Sequence, residues 1–240
     1  MLFRSAKKNL KLSDMTIGII GVGNVGSKIK SAARLLGMKV ILNDPPRARA
    51  EGIEKFAPLS EIFSSADIVT MHAPLNKRGE DKTLHYADEN FFGRFQKPVI
   101  FINTSRGEVA ETGALKKAIA AGRISSAIID VWEDEPGIDL ELLGMSDIAT
   151  PHIAGYSSDG KANGTSVCVN AINAFFNLGL PAGWYPGDLP APINGREIEI
   201  DCGNLAQEEI LLRTVLNTYD INKDSAALKK NPENFELLRE

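Results

Sequence analysis

Histidine and cysteine are scarce in this chain of 240 residues, which has three of the first and two of the second. Cys168 and Cys202 stand alone, without the C-x-x-C spacing of a zinc site or the even ladder of a disulfide scaffold. No metal is therefore expected, and a reducing cytoplasm is the compartment that fits. No apolar run approaches the ~18 residues of a membrane span, so a membrane is not an expected partner. The charged N-terminus, Met1 to Lys8, leads into no apolar core, so a secretory signal is not expected. An excess of basic charge is missing as well. Against 31 acidic residues stand 27 basic ones, a net charge of −4, so nucleic acid is not an expected partner. Repeats and low-complexity segments are absent. What remains is 43% hydrophobic and 24% charged, the balance of a folded chain, with length for one large domain or one domain and a small module.

Short apolar runs alternate with longer helical patterns. Strands are expected at Thr16–Ile20, Lys39–Asn43, Ile68–Met71, Val99–Asn103, Ser126–Asp130 and Asp147–Ala149. Helices are expected at Asn24–Leu36, Leu59–Ser65, Asp88–Phe95, Glu111–Ala121 and Ser158–Asn177. The apolar face of the first is drawn from Val25, Ile29, Ala32, Ala33 and Leu36. Near-continuous apolar strands alternating with helices predict an α/β fold. Its core is a doubly wound parallel sheet with ligands at the carboxyl ends of the strands. After Asn177 the pattern changes. Leu180 to Gly195 holds four prolines and three glycines and reads as a linker or extended arm. An alternating strand at Glu197–Asp201 and an amphipathic helix at Ala206–Thr218 complete a small α+β module. It is too short to stand alone, so it must pack on the main domain or on a second subunit.

Gly21-Val22-Gly23-Asn24-Val25-Gly26 is a G-x-G-x-x-G that follows a strand and opens a helix. In that context the first glycine permits a tight turn, the second lets backbone approach a pyrophosphate, and the third allows close helix–strand contact. The helix N-terminus offers N–H groups to phosphate. Asp44 ends the second strand, where a carboxylate binds the adenosine ribose hydroxyls and repels a 2′-phosphate; NAD is thus favoured over NADP, although Arg47 nearby argues the other way. Three further polar residues follow strand ends: Arg106, Glu135 and His152. A histidine base, a carboxylate to hold its ring and an arginine to clamp a substrate carboxylate are what oxidation of a hydroxy acid needs. Each also has an ordinary reading as a surface or loop residue. His72 ends a strand and has no obvious acid partner in its loop, His85 sits in a polar loop, and both are expected to be structural.

These motifs, together with INTSRGEV around Arg106, DVWEDEP around Glu135 and TPHIAGY around His152, resemble the D-isomer-specific 2-hydroxyacid dehydrogenases over residues 14 to 177. NDPPRA, KTLHYAD and TPHIAGYSSDGKANGT are most similar to a member acting on a small phosphorylated 2-hydroxy acid, and the tail is similar to its dimerisation domain. The resemblance implies a Rossmann-like NAD-binding fold and a homodimer formed through the C-terminal module. It implies that Arg106 and Glu135 belong to the active site, with His152 as general acid/base. It also implies NAD contacts from Gly21, Gly23, Asn24, Val25, Gly26, Asp44, Ala73, Thr104, Ser105, Arg106, Asp130 and Gly155, and substrate contacts from Arg106 and Tyr156. Ala73 stands where a threonine is expected, so a side-chain hydroxyl contact is lost while a backbone contact can survive. The resemblance further implies an N-terminally truncated chain. Residues 1–14 would be a remnant of a substrate-binding segment or foreign sequence, 15–155 the NAD-binding domain and 156–179 a helix returning toward the substrate domain. Residues 180–240 would be the linker and an incomplete dimerisation module. Two alternatives remain: a family member acting on another acid such as 3-phosphoglycerate, and a non-catalytic NAD-binding interaction protein.

Overall fold

A computed structural model describes residues 11–191, 195 and 197–239. Six strands, all parallel, form one sheet: β1 (Thr16–Ile20), β2 (Lys39–Asn43), β3 (Ile68–Met71), β4 (Val99–Asn103), β5 (Ile124–Ile129) and β6 (Ile148–Ala149), in the order β2-β1-β3-β4-β5-β6. Order reverses at β1, between β2 and β3, the place where open α/β sheets leave a crevice at their carboxyl ends. The helices are α1 (Asn24–Leu35), α2 (Pro45–Glu51), α3 (Leu59–Ser65), α4 (Glu89–Gly93), α5 (Thr112–Ala120), α6 (Leu140–Met145), α7 (Ser158–Phe176), α8 (Gln207–Thr218), α9 (Ile221–Lys230) and α10 (Phe235–Arg239).

One core cluster gathers the buried faces of β3, β4 and β5 with α3, α4 and α5. In it Phe63, Phe91, Phe92, Phe95 and Phe101 meet edge to face at 5.1–5.5 Å. A second cluster joins Ile17, Ile19 and Val22 to Ala33 of α1, Met38 and Phe56. Burial of these side chains fixes the parallel register and holds every strand's carboxyl end along one rim.

Several boundaries differ from the sequence expectation. β5 starts at Ile124, where a register shift between Val99 and Ile100 accommodates it, and stops before Asp130. The helix expected at Asp88–Phe95 shrinks to Glu89–Gly93, with Asp88 as its N-cap. Val25 and Leu36 remain 56% and 38% exposed, so the buried face of α1 is narrower than its pattern suggests. α2 was not expected, because Pro45 and Pro46 read as breakers. At the first helical positions proline costs no hydrogen bond, and Asp44 caps the helix by accepting from Arg47 N. No strand forms at Glu197–Asp201: alternation is present, but among the described residues no partner strand lies alongside.

Residues 178–185 fold back along α7, where Asn173 brackets Leu180 and Asn170 brackets Trp184 through donor and acceptor bonds of 2.8–3.1 Å. Beyond α8, which buries no residue fully, the chain returns to the sheet. Ala149 N of β6 donates to Ser225 Oγ of α9 at 3.0 Å, and Leu228 and Phe235 are buried in the main core. Residues 221–239 are thus packed on the edge of the sheet domain. Among the described residues no helix is long and apolar enough to cross a membrane. The expectation for residues 1–10 lies outside the described residues.

Candidate functional site

The glycine turn leads from β1 into α1. Gly21 has φ +85, and a Cβ there would lie 2.6 Å from Ala73 N, so turn and β3 loop touch backbone to backbone. A Cβ on Gly26 would lie 2.1 Å from Gly21 O. Gly23 is different: its φ of −71 suits any residue and no atom lies within 4 Å of an added Cβ. Among the described residues nothing requires glycine at that point. No side chain caps α1 there either, so its first-turn N–H groups have no side-chain acceptor. That is a cradle for a phosphate brought close to the backbone, and the residues present fit a dinucleotide.

Asp44 is buried. Its Oδ2 accepts from Val22 N at 2.7 Å and its Oδ1 from Arg47 N at 3.1 Å, which pins the glycine turn to the end of β2. Each oxygen keeps a second lone pair for a ribose hydroxyl. Arg47 is committed elsewhere: Nε and Nη2 hold Glu51 at 2.5 and 2.7 Å, Nη1 donates to Val22 O, and the guanidinium lies over Phe56. A cleft of about 260 Å³ opens beside Asp44, lined in part by Gly21, Pro45, Ala73, Pro74 and Tyr86.

The β4 and β5 loops meet at the next part of the rim. Asn103 accepts from Ser105 N and Oγ and donates to Arg106 O, shaping the Thr104-Ser105-Arg106 turn. Gly107 runs so close to Trp132 that an added Cβ would lie 1.9 Å from its carbonyl. Arg106 is exposed and its Nη1 donates to Ser105 O at 2.6 Å.

His152 Nδ1 lies 2.8 Å from Glu135 Oε2, and Glu135 Oε1 accepts from Trp132 N at 2.9 Å. Asp130 builds the loop that carries the histidine. Its carboxylate accepts from Thr150 Oγ1 (2.6 Å), Ile153 N (2.9 Å) and Ala154 N (3.1 Å), while its carbonyl accepts from His152 N (2.7 Å). Those four bonds hold His152 at φ +58, a left-handed conformation that an L residue adopts only when its surroundings require it. The ring of Tyr156 is 6.1 Å from that of His152. Gly155 lies on the same loop.

Glu135 and His152 are therefore brought together, with the Arg106 loop against the same backbone. His72 and His85 are not part of this pair. His72 bonds Thr70 Oγ1 at 2.9 Å, and burial lowers its pKa to about 4. His85 does have an acid partner: its Nε2 lies 2.6 Å from Glu133 Oε1. Burial acts to raise the Glu133 pKa, but the hydrogen bonds from Thr112 and His85 outweigh it and leave it lowered. Residues 85 and 133 are 48 apart, and no local signal links them. The same holds for Arg239 of α10, whose Nη1 is 3.8 Å from Glu135 Oε2.

Residues 3–154 match the model of the D-isomer specific 2-hydroxyacid dehydrogenase NAD binding domain. The chain belongs to this dehydrogenase family. It carries the family's NAD-binding domain, and NAD is its cofactor. Among curated relatives it is 47% identical to erythronate-4-phosphate dehydrogenase of Bacteroides fragilis over 232 residues, 97% of this chain and 63% of that one. It is 48% identical to the enzyme of the same name from Bacteroides thetaiotaomicron over 239 residues, covering 100% and 65%. The chain thus spans less than two thirds of the length of these relatives. Among solved structures, D-lactate dehydrogenase of Aquifex aeolicus, complexed with NAD and lactic acid, superposes with a TM-score of 0.61 at 28% identity, covering 72% of this chain and 56% of that one. The NAD-complexed dehydrogenase of the family from Lactobacillus delbrueckii gives 0.62 at 27%, covering 74% and 58%.

Proposed function

We propose that this chain is the NAD-binding and proton-transferring part of an enzyme that oxidises 4-phospho-D-erythronate to 2-oxo-3-hydroxy-4-phosphobutanoate, a step in pyridoxal 5′-phosphate synthesis. The observation that carries the chemistry is the hydrogen bond between His152 Nδ1 and Glu135 Oε2. The substrate is drawn from relatives 47–48% identical that bear the erythronate-4-phosphate dehydrogenase name.

Glu135 holds the Nδ1 proton, which leaves Nε2 of His152 as the base for the hydroxyl proton at C2. As that proton arrives, the Glu135 carboxylate stabilises the imidazolium. Arg106 pairs with the substrate carboxylate through its guanidinium fork and draws charge toward the forming carbonyl. NAD supplies, when bound, the acceptor for the hydride that leaves C2. The products are the 2-oxo acid, NADH and one proton held on His152. Gly21, Gly23, Asn24, Val25 and Gly26 surround the pyrophosphate, Asp44 the ribose, and Ala73, Thr104, Ser105, Asp130 and Gly155 the remainder of the cofactor; Tyr156 contacts substrate.

Residues 15–155 form the NAD-binding domain in this reading, 156–179 the helix directed to a substrate domain, and 180–240 a module through which two copies pair in the cytoplasm. The exposed apolar side chains of that module, Leu180, Tyr185, Val215 and Tyr219, support pairing. Sedimentation at micromolar concentration should show a dimer; a monomer counts against it.

The test of function is NADH formation by the full-length gene product. Turnover of 4-phosphoerythronate well above that of 3-phosphoglycerate is expected. Turnover of 3-phosphoglycerate alone would reassign the substrate, and NAD binding with no turnover of either acid would favour a binding protein.

A further inference from the structure

Arg239 comes from the far end of the chain, yet its guanidinium sits in the catalytic rim. Its carbon lies 4.7 Å from the centroid of Tyr156 and 5.9 Å from that of Phe235. The side chain is 22% exposed, and Nε is buried with no hydrogen-bond partner among the described residues. Glu135, at 3.8 Å from Nη1, is beyond hydrogen-bond range. A second cation, Lys161 Nζ from α7, lies 4.9 Å from the same Tyr156 ring. Two cations therefore converge on one aromatic ring beside the dyad. A guanidinium largely withdrawn from water with its Nε donor unfilled is costly unless an acceptor arrives to complete it.

We propose that Arg239 and Lys161, around Tyr156, form the subsite for the terminal phosphate of the substrate, an organic phosphate monoester. This rests on the dehydrogenase reading of the same site. The charge fits: a phosphate monoester carries close to two negative charges, and its oxygens match the guanidinium fork. The reach fits as well. From C2 to phosphorus an extended four-carbon monoester spans roughly 5 Å, and Arg239 Nη1 lies 3.8 Å from Glu135 Oε2, which is itself 2.8 Å from His152 Nδ1. A substrate whose carboxylate meets Arg106 would then be held at both ends with C2 at His152.

The test is calorimetric binding to the full-length, NADH-loaded protein, where the hydroxy acid cannot react. The probes are 4-phosphoerythronate, erythronate and inorganic phosphate. Arg239→Met should weaken 4-phosphoerythronate and inorganic phosphate about tenfold or more, the worth of one charge-assisted hydrogen bond, and leave erythronate and NADH within about twofold. Lys161→Met, at an exposed position, should act in the same direction more weakly and carries the test if the arginine variant does not fold. Equal losses for erythronate and its phosphate, or no loss for either phosphorylated probe, would overturn the subsite. Arg239-dependent phosphate binding by a protein that does not oxidise 4-phosphoerythronate would sustain the subsite and overturn the assigned substrate.

Discussion

Glu135 and His152 are 17 residues apart and share a 2.8 Å hydrogen bond between Oε2 and Nδ1, while the other carboxylate oxygen is tied to Trp132 N. The carboxylate is thus held from its own loop and cannot turn away from the imidazole. Glu135→Gln keeps the shape and removes the charge that stabilises the imidazolium. A fall in kcat of about 100-fold is expected, with NAD affinity kept, as read by steady-state rates and nucleotide titration.

His152→Ala should abolish turnover and leave NAD binding largely intact, because the side chain points to Glu135 rather than to the glycine turn. Titration of NAD fluorescence quenching checks this; a matched loss of NAD affinity would remove His152 from the role of base.

Asp130 accepts three bonds through its carboxylate. Asp130→Asn turns one acceptor oxygen into a donor facing N–H groups. The expected outcome is about 1–3 kcal/mol of lost stability in chemical denaturation, together with a fall in kcat because the loop that holds His152 loosens. Unchanged stability would mean that the loop is held by its neighbours.

Gly23 and Gly26 separate binding from folding. Gly26→Ala would drive a methyl into Gly21 O and should lower thermal stability along with NAD affinity. Gly23→Ala brings its methyl within 4 Å of no atom among the described residues, so its melting temperature should stay within about 1 °C of the parent while NAD affinity falls at least about tenfold.

His72 links stability to acidity. Its pKa is lowered to about 4 by burial, whereas in the unfolded chain it sits near 6.5. The fold therefore favours the neutral ring. Its contribution is complete above pH 6.5 and is lost as pH falls toward 4, since the unfolded chain takes up the proton first. Relative to His72→Gln, the parent should lose at most about 2 kcal/mol between pH 7 and pH 5 in urea titrations.

Much of the cofactor domain could be read directly. The six strands of the sheet and the fingerprint depend on local alternation of apolar runs, turn residues and glycines, so β1, β2, β3 and β4 appear at the expected residues and β5 and β6 within two residues of them. α2 escaped because two prolines break a helix anywhere except at its first turn, and only the bonded Asp44 shows that they lie there. The strand expected at Glu197–Asp201 failed for the opposite reason: alternation is a property of the segment, whereas a strand needs a neighbour.

By itself the sequence determined the family, the cofactor, the succession of strands and helices along the chain and the placing of three polar residues after strand ends, because each is written within a few consecutive residues. Tertiary structure decided which groups meet. It seated the tail residues Ser225, Leu228 and Phe235 on the sheet domain, joined His85 to Glu133, and brought Arg239 from the far end of the chain to the ring of Tyr156. Contacts of that kind depend on how burying apolar faces folds distant segments onto one another, and neither spacing nor composition encodes them locally.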